Sequence, residues 1–143
     1  MGKYEILEHK ADVLFEASGA SFERALEAAA QALFDTIAKT KQLKEKKKVK
    51  VRETARRLDE LVVFTLGRLL SESDAGEVFF KRFKVTKFGE NKEGFIVEGV
   101  ACGEKEKPEL GGTVVKAVTF GELRVAKPSR ASKEWRIRVL LDV

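Results

Sequence analysis

The clearest periodicity in the chain is helical. In FERALEAAAQALFDTIAK, residues Phe22 to Lys39, apolar side chains recur at Phe22, Leu26, Ala29, Leu33 and Ile37, with alanine filling much of the rest. Ser21 precedes it as an N-cap, and the apolar stripe needs a cover, most economically a sheet. LDELVVFTLGRLLSES predicts a second helix whose shared face carries Leu58, Leu61, Val62, Thr65 and Leu69. Asp59 and Glu60 suit the positive N-terminal end of that helix.

Elsewhere the period is two. Val13, Phe15 and Ala17 alternate with Leu14, Glu16 and Ser18, which predicts a strand with one apolar face. Val49 and Val51 alternate with Lys48, Lys50 and Arg52, a half-exposed strand with a charged outer side. GEVFFKRFKVTKFG and KEGFIVEGVACG read as a hairpin turning at Gly89-Glu90-Asn91-Lys92. EKEKPELGG is a polar loop, and TVVKAVTFGELRVAK and EWRIRVLLDV are strands joined around Pro128-Ser129. In the last strand Trp135, Ile137, Val139 and Leu141 face one way, and Arg136, Arg138, Leu140 and Asp142 the other. This order predicts an α+β fold: a single compact domain over residues 1–143, with a mixed or antiparallel sheet and both helices packed on one face.

Composition narrows the class. At 143 residues, 43% hydrophobic and 36% charged, the chain is of globular rather than disordered or membrane-embedded type. The lone Cys102 excludes an intramolecular disulfide, and no ligand-spaced Cys/His cluster offers a zinc or iron site. With no apolar run of signal or membrane-spanning length, the expectation is a cytoplasmic protein without a membrane partner. The abundance of Lys and Glu resembles proteins of hot environments. A net charge of +5 is compatible with an RNA-containing partner.

Catalytic motifs are missing. There is no P-loop, Rossmann fingerprint or zincin helix, and the only histidine, His9, has no nucleophile motif beside it, so a self-contained hydrolase is not expected. FFKRFKVTKF interleaves aromatic and basic residues, but Phe79, Phe83 and Val85 share one parity and read as the buried side of a strand. The Lys44–Lys50 run reads as a solvated face; RNA binding through Lys44 to Arg57 ranks lower because Glu45 and Glu53 interrupt the positives.

Three positions stand out. Asp12 sits at a strand entrance, and Asp142 ends the last strand beside the terminal carboxylate of Val143. Lys116 has Val114, Val118 and Phe120 as its parity partners. Two aspartates plus a terminal carbonyl form a hard-oxygen set for calcium or magnesium if the first and last strands are neighbours. The plain alternatives are surface or capping aspartates, a lysine snorkelling at a sheet edge, and a structural hydrogen-bonding role for His9.

Segments spread over nearly the whole chain resemble the archease family. YEILEHKADVLFEASGASFERALEAAAQALFDTI is similar to its opening strand, H-T-A-D segment and amphipathic helix. LDELVVFTLGRLL resembles its second helix, VKAVTFGELRV its K-A-V-T segment, and LLDV its closing aspartate. Lys10 replaces the usual threonine, and Phe120-Gly121 stands where Tyr-His is commoner. The resemblance implies a non-catalytic activator of the tRNA-splicing RNA ligase, which promotes guanylylation and multiple turnover and broadens nucleotide use. A chaperone-like modulator of RNA-modifying enzymes, such as a tRNA cytosine methyltransferase, is the alternative it implies. It further implies a divalent metal, calcium, on Asp12, Asp142 and the Val143 carbonyl, with Lys116 taking part in activation and tRNA met only indirectly. On this expectation, an acidic metal-holding tip and a lysine insert beside the ligase active site.

Overall fold

The computed structural model describes residues 2–9 and 12–143, with only the main chain described at Glu8 and His9. Two strands, β1 (Lys3–His9) and β2 (Asp12–Gly19), lead into helix α1 (Phe22–Ile37). Strand β3 (Lys47–Ala55), helix α2 (Leu58–Gly76), and strands β4 (Val78–Asn91), β5 (Gly94–Lys105), β6 (Ala117–Ala126) and β7 (Trp135–Asp142) follow. The fold is α+β, as the alternation of periods predicts.

The strands divide between two sheets. One has the order β1-β2-β7-β6 and the other β3-β5-β4, and every pairing is antiparallel. The expected single sheet with both helices on one face is therefore replaced by two sheets, with each helix touching both. Helix α1 packs on β2 and β4, and α2 on β3 and β6. The reason lies in α1, whose alanines on either side of the Leu26–Leu33 stripe are also buried, so two layers cover it.

Local chemistry sets the element ends. The Ser21 hydroxyl accepts from the Arg24 amide and caps α1. Helix α2 runs three residues beyond the predicted Ser73 and stops at Glu77, which adopts a left-handed conformation with φ 50°. The β4–β5 hairpin turns at Lys92-Glu93, two residues later than the sequence suggests, because Gly89, Glu90 and Asn91 continue the ladder. There the Asn91 side chain accepts from the Glu93 amide, and Gly94 takes φ 134°.

The second sheet's inner side places Gly99 between Val51 and Val85. A Cβ at Gly99 would lie 2.4 Å from the Phe83 ring, so the glycine makes room for that ring. Cys102 is buried as a free thiol. Among the described residues, no helix is long and apolar enough to cross a membrane.

Candidate metal centre

Strands β2 and β7 are locked by their inner faces. Val13 faces Leu141, Phe15 faces Val139 and Ala17 faces Ile137, all essentially removed from water. A slip of one residue would turn Arg136 and Arg138 into the core, so burial fixes the register strongly. That register places Asp12 directly opposite Asp142 on the outer face. Side chains so opposed have Cβ atoms about 4.5–5.5 Å apart. Both aspartates are half-buried.

The neighbouring strand supplies the flank. Ala117 of β6 stands opposite Asp142, and the Lys116 amide donates to the Asp142 carbonyl at 2.7 Å. The approach to Lys116 is held by the C-terminal end of α1, where the Gly112 and Thr113 amides donate to the carbonyls of Ile37 and Thr36. Val115 is then buried in the core. Lys116 itself is exposed and precedes β6, with Val114 on the surface at 77% exposure. The parity reading that put Lys116 on an apolar strand face is thus corrected: residues 112–116 are not strand, and Val115 is the residue that turns inward. Its main chain is nevertheless anchored at the acidic pair.

The donor set fits a hard cation. Two carboxylates placed opposite each other on adjacent strands repel, and a divalent ion between them removes that cost. Val143, half-buried against the core, follows Asp142 and carries the main-chain carbonyl that is the third candidate donor. The main-chain carbonyl of Asp142 is already engaged by the Lys116 amide. Among the described residues no cluster of three His, Cys, Asp or Glu side chains forms here or elsewhere. A bound ion would therefore keep positions for water or for oxygens of another molecule. The His9 side chain, the secondary candidate, lies outside what the structure describes.

Nearby, β1 is tied to α1 by the Tyr4 hydroxyl, which donates to Asp35 Oδ2 at 2.6 Å. Burial, and then the Asp35 hydrogen bond and charge, push the Tyr4 phenol above its ordinary pKa, so it stays protonated and keeps donating.

Sequence reasoning missed an interruption in β6. Between the Thr119–Leu140 and Arg124–Arg138 pairs, four residues of β6 oppose only Val139 of β7. The bulge carries Phe120, 56% exposed, whose ring meets exposed Phe64 of α2 edge-on at 6.4 Å. The Gly121 in its middle is the available sequence signal for such a bulge.

A model of the archease protein family matches residues 4–143. The chain is 34% identical to the archease of Methanosarcina mazei, over 99% of this chain and 96% of that protein. It is 33% identical to the archease of Pyrococcus furiosus over the full length of both. Among solved structures, Methanobacterium thermoautotrophicum protein 1598 superposes with a TM-score of 0.82 at 28% identity, covering 98% of each chain. A Thermotoga maritima archease described as a possible chaperone shares the fold, with a TM-score of 0.61 at 18% identity over 97% of this chain and 96% of that one.

Proposed function

The chain belongs to the archease family of generally non-catalytic accessory proteins, and on that premise we propose that it activates the RNA ligase of tRNA splicing through the Asp12–Asp142 end of its first sheet. The observation that carries this reading is the register itself, which makes one acidic tip from the two ends of the chain. Ligase guanylylation needs nucleotide phosphates, metal and nucleophile aligned together, with charge neutralised as it develops.

In this reading Asp12, Asp142 and Val143 hold a divalent cation, calcium, against the ligase active site. When bound, the ion supplies positive charge where phosphate oxygens gather. The buried Val13–Leu141 pair keeps the two carboxylates in place, since it fixes the strands one residue inward. Lys116 extends into solvent from a main chain hydrogen-bonded to Asp142, and is positioned to meet an acidic or phosphate group of the partner. The chain stabilises a productive ligase conformation and reacts with nothing itself.

The test is a ligation assay with RNA in excess over ligase. The wild-type chain should support many turnovers, whereas Asp12→Ala and Asp142→Ala should leave little beyond the first. Full turnover with either variant would overturn the reading.

A chaperone-like action on an RNA-modifying enzyme, such as a tRNA methyltransferase, is favoured by one separate observation, the exposed Phe64–Phe120 pair. It predicts the reverse pattern in a client-aggregation assay. Phe120→Ser should lose protection, and Asp12→Ala with Asp142→Ala should keep it.

A further inference from the structure

The outer face of the four-stranded sheet segregates its charges. One row runs Glu5, Glu16, Arg138 and Arg124 across β1, β2, β7 and β6. Two arginines are therefore register partners on adjacent strands, an arrangement of like charges that repels. The next row brings in Arg136, opposite Ser18 and Ala126. Glu16 is shared, lying 3.5 Å from Arg138 and 3.7 Å from Arg136. Among the described residues no carboxylate pairs with Arg124 or Lys127. The Nε of Arg138 is buried and has no hydrogen-bond partner. An opposed arginine pair carries an electrostatic cost that an anion would relieve.

These groups line a cavity of about 220 Å3 bounded by the turn that joins β6 to β7. Its cations are Arg124, Lys127, Arg136 and Arg138, and its acids are Glu16 and Glu134, an excess of two positive charges. Two serines of the turn face it as well. Ser129 Oγ accepts from the Ala131 amide and Ser132 Oγ from the Glu134 amide, so each hydroxyl retains its own proton to donate. The space is large enough to take a phosphate group. A carboxylate brings one charge to an excess of two, whereas a terminal phosphate brings about −1.5 to −2 and matches the arginine forks.

We propose that this cavity binds a terminal phosphate group, carried either by a free nucleotide or by a nucleic-acid end. The site goes beyond the ligase reading and uses none of its residues. Arg138 lies four positions along β7 from Asp142, roughly 14 Å at ~3.4 Å per residue.

The test is titration calorimetry of the full chain at pH 7.5 with inorganic phosphate, adenosine monophosphate, and one RNA oligonucleotide with and without a terminal phosphate. Sodium chloride at matched ionic strength is the control. Saturable binding of inorganic phosphate is expected, and the phosphorylated oligonucleotide should bind at least tenfold more tightly than its unphosphorylated twin if nucleic-acid ends are the source. Preference for the mononucleotide would identify free nucleotide instead. Arg124→Ala, a substitution at an exposed position, should weaken phosphate binding at least tenfold, and Glu16→Gln should tighten it severalfold. No saturable response to phosphate, or wild-type affinity in both variants, would overturn the assignment. So would equal binding of the two oligonucleotides without binding of free phosphate or nucleotide, or binding of a glutamate-rich peptide in place of phosphate.

Discussion

Asp12 and Asp142 face each other across adjacent antiparallel strands, bringing together acids of the two central strands of the four-stranded sheet. Like charges directly opposed in a sheet destabilise it by roughly 0.2–1 kcal/mol. In a chelator, Asp142→Asn should therefore melt at or up to about 4 °C above the wild type, given ~2–4 °C per kcal/mol for a chain of this size. Calcium should reverse the order, because an ion that binds only the native state adds ~2.7 kcal/mol at a hundred times its dissociation constant. Differential scanning calorimetry in chelator and in calcium measures both halves. An identical calcium response from wild type and variant would remove the metal from the site.

Phe22, the first residue of α1, holds the two sheets together. Its ring lies 4.7 Å from Phe88 of β4 and 5.7 Å from Trp135 of β7, and it is 2% exposed. Phe22→Ala should cost about 3–5 kcal/mol, the range for a buried phenylalanine whose cavity cannot fully collapse. Chemical denaturation provides the measurement. A loss below 1 kcal/mol would show that the sheets do not depend on this contact.

Glu104 gives the fold a defined acid sensitivity. The Lys44 amide donates to its Oε2 at 2.6 Å, and Lys107 pairs with Oε1 at 3.0 Å. The amide hydrogen bond first, and then Lys107, hold its carboxyl below the ordinary glutamate range. A carboxylate depressed in the folded state stabilises fully above its unfolded pKa, about 4.3, and that contribution fades as pH falls through the lower folded value. Glu104→Gln should therefore melt below the wild type at pH 6, with the gap narrowing steadily from about pH 4 downward. A gap independent of pH would point to packing instead of charge.

The parts of this fold that were legible in sequence are those in which one element carries its own signal. The α1 stripe, the β7 alternation and the outward parity of Asp142 are all local, and the structure keeps them. The division into two sheets was not legible, because it depends on which distant strands share hydrogen bonds. Lys116 was misplaced for a local reason. Thr113 to Phe120 mimics alternation, yet its first half is drawn along α1 by the Gly112 and Thr113 amides, so Val115 turns inward in place of Val114. The Asp12–Asp142 register followed from parity only once β2 and β7 were neighbours. The Arg124–Arg138 opposition was hidden because the β6 bulge resets the count between them.

Thr65 tests whether that local reading of α2 extends to energetics. Its periodicity places it on one face with Leu58, Leu61, Val62 and Leu69; Leu58 is half-buried, and Thr65 and the other three are 0% exposed. Its hydroxyl, however, is buried without a hydrogen-bond partner. An unpaired buried polar group costs about 1–3 kcal/mol, whereas valine has nearly the same shape and nothing to leave unsatisfied. A β-branched residue is already accommodated there, so the helix sees little change in side-chain freedom. Thr65→Val should therefore stabilise the chain by about 1 kcal/mol, raising the melting temperature by roughly 2–4 °C. Thr65→Ala should gain less or lose, because it removes the same hydroxyl but leaves a void. Melting curves of the two variants separate the effects. Destabilisation by valine would mean that the hydroxyl has a partner in solution, most simply a buried water.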